Sequence, residues 1–233
     1  MNNLTLLTYT NSNAQDIHSL YFNRVKKYFS SIKNVVAASD EDISGINTIL
    51  YKNDQPYFEQ ICNTLDKITT EYILYNQEDY ILFDYVDTEK IQETIGTLAK
   101  NNNVAFVRLI QSATQNSVQV NENYLQLDKN HQYFYSAQAA VWRKTDLKDM
   151  FLASKAQSIR DEPQNSSFLK RLNKYGLCVT GRGRKIGDHF NSLVYPYIAT
   201  AVVGGKWNCS EYEEELSELF EEYSINKNIR GTR

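Results

Sequence analysis

The chain has 233 residues, a formal net charge of -3, and 42% hydrophobic against 23% charged residues. That balance builds a closed core under a charged surface and excludes a mostly disordered or collagen-like chain, and only 3 prolines argue against a linker-rich one. The slight negative excess supplies no global positive field of the kind that draws nucleic acid.

In chain order, LTLLTY from Leu4 to Tyr9 reads as a strand buried on both faces. The polar loop TNSNAQD leads into an amphipathic helix with Ile17, Leu20, Tyr21, Val25, Tyr28, Phe29 and Ile32 at helical spacing, capped by Asn13 or Asp16. NVVAAS, from Asn34 to Ser39, is a second strand, so the chain opens as a βαβ unit. Pro56 marks the start of a helix carrying Tyr57, Phe58, Ile61, Leu65 and Ile68, and EYILYN from Glu71 to Asn76 is the next strand. A third helix runs from Asp87 to about Lys100, and NVAFVRLI is a further buried strand.

After Ile110 the pattern becomes mixed. A strand is expected around Phe134 to Trp142, a short helix from Asp146, and a helix from Glu162 to Gly176 with Pro163 in its first turn. LCVTG reads as a strand, GRGRKIGDH as a glycine-rich basic loop, EYEEELSELFEEYS as an acidic helix and NKNIRGTR as a ragged tail. The start lacks a basic n-region, and the apolar stretch from Ile198 falls short of the ~20 residues that span a bilayer. A soluble protein is expected, with peripheral membrane association left open. The cysteines Cys62, Cys178 and Cys209 form no metal-spaced pair, which fits free thiols in a reducing, cytoplasmic setting.

Four constellations suit chemistry, each with a plain structural alternative. Gln77 to Tyr80 follows a buried strand, where Glu78 and Asp79 could hold a divalent cation or simply form a solvated turn. Thr8 to Asn13 offers hydroxyls and amides to a ribose or phosphate, or plain turn chemistry; it has no glycines, so dinucleotide and phosphate-loop fingerprints are missing. Asp161 and Glu162 open a helix as base or cap. Arg182, Arg184 and Lys185 ride on glycines as a diphosphate clamp or a surface hairpin. With no HExxH motif or Cys/His cluster, zinc is not expected.

The runs YKNDQPYFEQICNTLDKITTEYILYNQEDYIL (Tyr51 to Leu82), VDTEKIQETI, NVAFVRLI, FYSAQAAVWRKTDL, a DEP segment and YPYIATAVVGGKW resemble a family of small GT-A-like glycosyltransferases of bacterial or viral polysaccharide and glycan synthesis. The resemblance covers roughly residues 4 to 208. It implies an α/β, GT-A-like (Rossmann-like), mostly parallel sheet flanked by helices in a single domain. A nucleotide-sugar half would reach about residue 110, an acceptor half about 111–210, and the acidic helix about 210–224.

The resemblance places the donor nucleotide over Thr8, Tyr9 and Thr10, with Asp40 near the base or ribose. The family's DxD motif falls on Gln77, Glu78 and Asp79, where glutamine replaces the first acid. Asp79 would then ligate Mn²⁺ or Mg²⁺ alone, or the reaction would run without metal. Arg182 and Lys185 would meet the diphosphate, Gln138 and Trp142 would border the acceptor sugar, and Glu162, ahead of Asp161, would be the base. Pro163 fixes the backbone directly after Glu162, which favours it over its neighbour. The implied activity is inverting transfer of a sugar from a nucleotide-diphosphate donor to a glycan, lipid-linked glycan or other hydroxyl acceptor. A nucleotide- or glycan-binding protein without turnover, and a nucleotidyltransferase, are the alternatives.

Overall fold

A computed structural model of the protein describes residues 1–161 and 173–233. Its frame is a nine-stranded sheet built from β1 (Leu4–Tyr9), β2 (Asn34–Ser39), β3 (Asn47–Leu50), β4 (Tyr72–Gln77), β5 (Val104–Arg108), β6 (Val118–Gln119), β7 (Tyr124–Gln126), β8 (Ala140–Arg143) and β9 (Tyr175–Val179). The strand order is β3-β2-β1-β4-β8-β5-β9-β7-β6. The first four of that order are parallel, β8 runs antiparallel between β4 and β5, and β9 returns parallel to β5. Both halves of the chain therefore share one sheet.

The apolar runs sit where their burial requires. In β1, Leu4 and Leu6 face one core while Leu7 faces the other. The first core takes α1 (Gln15–Tyr28), α3 (Thr88–Lys100) and α5 (Cys209–Glu222). The second takes α2 (Tyr57–Lys67) and α4 (Lys144–Ser154). Helices thus cover both faces, and the mostly parallel α/β architecture is as expected. No helix of the described residues is long and apolar enough to cross a membrane.

Several local expectations need correction. Asn11, rather than Asn13 or Asp16, caps the entry to α1 by accepting from Asn13 N and opening a short 3₁₀ turn, Ser12–Ala14. The strand expected from Phe134 shrinks to β8, because Phe134 and Tyr135 are buried by loop packing and not by a ladder. Gly176 lies inside β9 and ends no helix; most of the helix expected from Glu162 falls outside the described residues. The basic loop holds a small hairpin, β10 (Lys185–Ile186) with β11 (His189–Phe190). A second hairpin, β12 (Val202–Val203) with β13 (Lys206–Trp207), follows.

The tail is ordered. It forms the short helix α6 (Lys227–Arg230), and Thr232 bridges to Trp207.

Candidate functional site

The parallel strands finish level: Tyr9 at the end of β1 stands beside Ala38 of β2 and Gln77 of β4. The chain then turns across the carboxyl edge, with Thr10 N bonded to Ala38 O. Asp40 fixes this turn by accepting from Ser12 N at 2.7 Å, Ser12 Oγ at 2.9 Å and Asn53 Nδ2 at 3.0 Å. Burial alone would raise the Asp40 carboxyl, but the bonds from Asn53 and Ser12 outweigh it and hold it below its ordinary value. The Tyr51 ring stacks on Tyr9 at 5.4 Å, and its hydroxyl donates to Thr10 O at 2.7 Å. Tyr9 donates in turn to Gln60 Oε1 at 2.7 Å. The result is a polar rim with aromatic walls.

Glu78 and Asp79 occupy the turn after β4, closed by Tyr80 N bonding Gln77 O at 3.1 Å. Burial raises the proton affinity of both, and the Glu78 charge raises Asp79 further, well above the carboxylate range. The pair titrates as a unit. The Thr10 hydroxyl lies 2.8 Å from His18 Nε2 and favours the ionised form of Glu78. The backbone of Val202, on β12, favours the ionised form of Asp79, and the charge of Arg230 in the tail acts favourably on both acids.

A second cavity of about 570 Å³ opens past the carboxyl end of β5. Gln138, Lys185, Asp188 and His189 line it, with Ser136 and Tyr133. Its loops are pinned from beneath by buried Arg108, which donates to Ser112 O at 2.7 Å, Tyr133 O at 2.8 Å and Phe134 O at 3.0 Å. Gln138 accepts from the Tyr197 hydroxyl at 2.6 Å. Burial lowers the basicity of His189, so its imidazole is neutral at pH 7. A larger groove of about 1050 Å³ runs between α1 and the Glu41–Ile46 loop. It touches the acid network only through His18.

The expected donor residues Tyr9, Thr10, Asp40, Glu78 and Asp79 therefore share one edge of the sheet. Thr8 does not join them: it is fully buried and bonded to the Tyr21 hydroxyl. Trp142 is also core, stacked on Phe106 at 4.5 Å and tilted against Tyr135, so neither ring face is presented to a sugar. Gln138 and Lys185 meet in the second cavity. Arg182 lies over the Phe190 ring at 5.6 Å, and Arg184 is tied to Glu214 and Glu215. Asp161 caps its own turn, accepting from Gln157 N and Ser158 N at 2.8 and 2.9 Å. Glu162 lies outside the described residues.

Among the described residues no group of three or more His, Cys, Asp or Glu side chains is placed to hold a metal ion. Sequence reasoning missed Arg230, His18, Tyr51 and Val202. A histidine eight positions after Thr10 on a helix face was the one visible hint.

No protein-family model matches the chain, and no curated protein sequence does. Solved structures do match in fold. S. aureus TarS aligns with a TM-score of 0.51 at 12% identity over 97% of this chain; the chain spans only 40% of that protein. The 4-diphosphocytidyl-2C-methyl-D-erythritol synthase of Anaerococcus prevotii aligns with a TM-score of 0.50 at 15% identity, covering 95% of this chain and 98% of that one. A mannosyltransferase from Pyrobaculum calidifontis, solved with GDP-Man and Mn²⁺, aligns at a TM-score of 0.48 and 9% identity over 80% of this chain and 58% of its own. At these identities the shared property is the fold: a mostly parallel α/β sheet with helices on both faces.

Proposed function

We propose that the protein is a nucleotide-dependent transferase that moves a sugar from a nucleoside-diphosphate donor to a hydroxyl on a glycan or lipid-linked glycan. One observation carries this reading. A pair of acids, Glu78 and Asp79, follows β4 level with Tyr9, Thr10 and Asp40 at the carboxyl edge of parallel strands, the position where open α/β sheets take ligands. The rim at Asp40 and Ser12 suits a ribose, and the Tyr9–Tyr51 stack suits a base.

A cation brought by the ligand would offset the charge of Glu78 and Asp79, the two acids in the turn after β4. Mg²⁺ is commonly held by one or two carboxylates together with substrate phosphates, so this small donor set fits an ion that arrives with a diphosphate, Asp79 being its first ligand. Such an ion, held by Asp79, would supply positive charge to offset that developing on the leaving diphosphate. The cavity beside β5 is the acceptor side in this reading. There Gln138 orients a sugar hydroxyl, and neutral His189 is a described group able to take its proton.

Nucleotidyl transfer is the second reading. It is supported by the fold match to the diphosphocytidyl-methylerythritol synthase, which spans nearly the whole of both chains. The comparisons lean toward it more than toward sugar transfer. The loop after β1 leans the other way, because it carries neither glycine nor a basic residue to cradle a triphosphate. An assay separates them. Nucleotide sugars offered with glycan acceptors should release nucleoside diphosphate, whereas nucleoside triphosphates offered with phosphorylated sugars or polyols should release none of their pyrophosphate. Pyrophosphate release alone would establish the second reading, and neither product would remove both.

A further inference from the structure

The tail is held in place by a specific set of bonds. Trp207 N donates to Gly231 O at 3.0 Å, Arg233 N to Trp207 O at 2.9 Å, and Ser210 N to Arg233 O at 2.9 Å, which forms a parallel bridge between Thr232 and Trp207 of β13. Asn226 caps α6 by accepting from Asn228 N. The effect is to deliver one side chain. Arg230 grips Asp16 in bidentate fashion, Nε to Oδ2 and Nη2 to Oδ1, and its Nη2 also reaches Asn13 O at 3.4 Å. Nη1 reaches Gly205 O at 3.4 Å in the turn of the second hairpin, and the guanidinium stands 5.8 Å from the Trp207 ring. The Arg230 side chain is 14% exposed while its partner Asp16 is 43% exposed. The cation is thus buried against the loop that follows β1, and its carboxylate partner faces solvent.

We propose that Arg230 is the residue that binds the diphosphate of the nucleotide, and that Asp16 holds its place in the ligand-free protein. The assignment rests on the donor cleft of the proposed function and deepens it. A guanidinium fork that takes a carboxylate bidentately takes a phosphate by the same geometry. A diphosphate carries more charge than one carboxylate, so it displaces Asp16, which is free to turn to water. The other basic candidates are engaged elsewhere: Arg184 is paired with α5, Arg182 lies on Phe190, and Lys185 lines the second cavity. In further support, the charge of Arg230 favours the ionised forms of Glu78 and Asp79.

Calorimetric titration of the full chain with UDP, GDP, CDP and ADP, and with the four matching nucleosides, tests this. For whichever diphosphate the wild-type protein binds, Arg230→Ala should weaken affinity about tenfold or more, leave the nucleoside within about twofold, and be partly rescued by Arg230→Lys. Asp16→Asn removes the competing carboxylate and should tighten the diphosphate. Both variants break the same ion pair, so a merely structural role would shift their melting temperatures alike and move binding in the same direction. Unchanged diphosphate affinity in Arg230→Ala, or unchanged or weaker affinity in Asp16→Asn, overturns the assignment while leaving the cleft intact. If the wild-type chain binds none of the four diphosphates, the donor cleft itself is wrong and the assignment falls with it.

Discussion

Asp40 accepts from both the backbone N–H and the hydroxyl of Ser12, tying the end of β2 to the turn that follows β1. This single carboxylate gives the turn a fixed shape before any ligand arrives, and preorganisation of that kind raises affinity by lowering the ordering cost. Asp40→Ala should therefore loosen Ser12–Ala14, seen as faster amide exchange confined to that turn. It should cost only about 1 kcal/mol of global stability. Exchange unchanged in the turn would show that Asn11 alone holds it.

The acid pair should make the ligand-free protein less stable as pH rises. A carboxyl whose proton affinity is higher folded than unfolded gives a folded state that binds more protons, so stability falls as pH climbs above the unfolded value of ~4. His18 and His189, both kept neutral by burial, push the opposite way at acid pH, so the informative quantity is a difference between proteins. With a chelator present, Asp79→Asn should be more stable than wild type at pH 8 and approach it near pH 5, as read from urea midpoints. Parallel curves for the two proteins would mean the pair is not strained.

Gly176 should prove a packing requirement. A Cβ there would come within 2.3 Å of the Phe106 ring. That ring is stacked on Trp142 at 4.5 Å and edges Phe134 at 5.7 Å, so it has no free direction to retreat. Gly176→Ala should cost about 1–3 kcal/mol in chemical denaturation, with nucleotide affinity unchanged below the melting transition.

The proton acceptor should be decided by a pair of substitutions. His189→Asn should lower kcat by roughly 10² with donor affinity retained, if the imidazole takes the acceptor proton. Glu162→Gln is the competing experiment, because Glu162 is the base that the sequence resemblance implies. A collapse in the glutamate variant alone would move the role to Glu162. Asp161→Asn should stay near wild type, since that carboxylate is spent on Gln157 N and Ser158 N.

The fold was legible where burial is two-sided. β1, β2, β4 and β5 are short apolar runs of six, six, six and five residues, a pattern that follows from strands covered on both faces. β3 escaped notice because its four edge residues are exposed or half-buried and carry no such run. Trp142 misled because an aromatic on a strand reads the same whether it faces a cleft or a core; only its packing on Phe106 decides. Glu78 and Asp79 were found from their place after a strand, since topology alone puts that turn at the ligand edge. Arg230 was invisible for a physical reason. Its partner Asp16 lies 214 residues away, and a polar tail shows no periodicity when its order comes from pairing with β13 and one distant carboxylate.

The most direct measurement is calorimetry of nucleoside diphosphates and their sugar conjugates against wild type and Asp79→Asn, each with and without Mn²⁺. The account expects one nucleotide to bind the wild type, more tightly with the ion. It expects Asp79→Asn to lose at least about tenfold, ~1.4 kcal/mol, together with the response to Mn²⁺. Equal affinities for the two proteins, with the Mn²⁺ response preserved, would contradict a donor site at the carboxyl edge of β1 and β4.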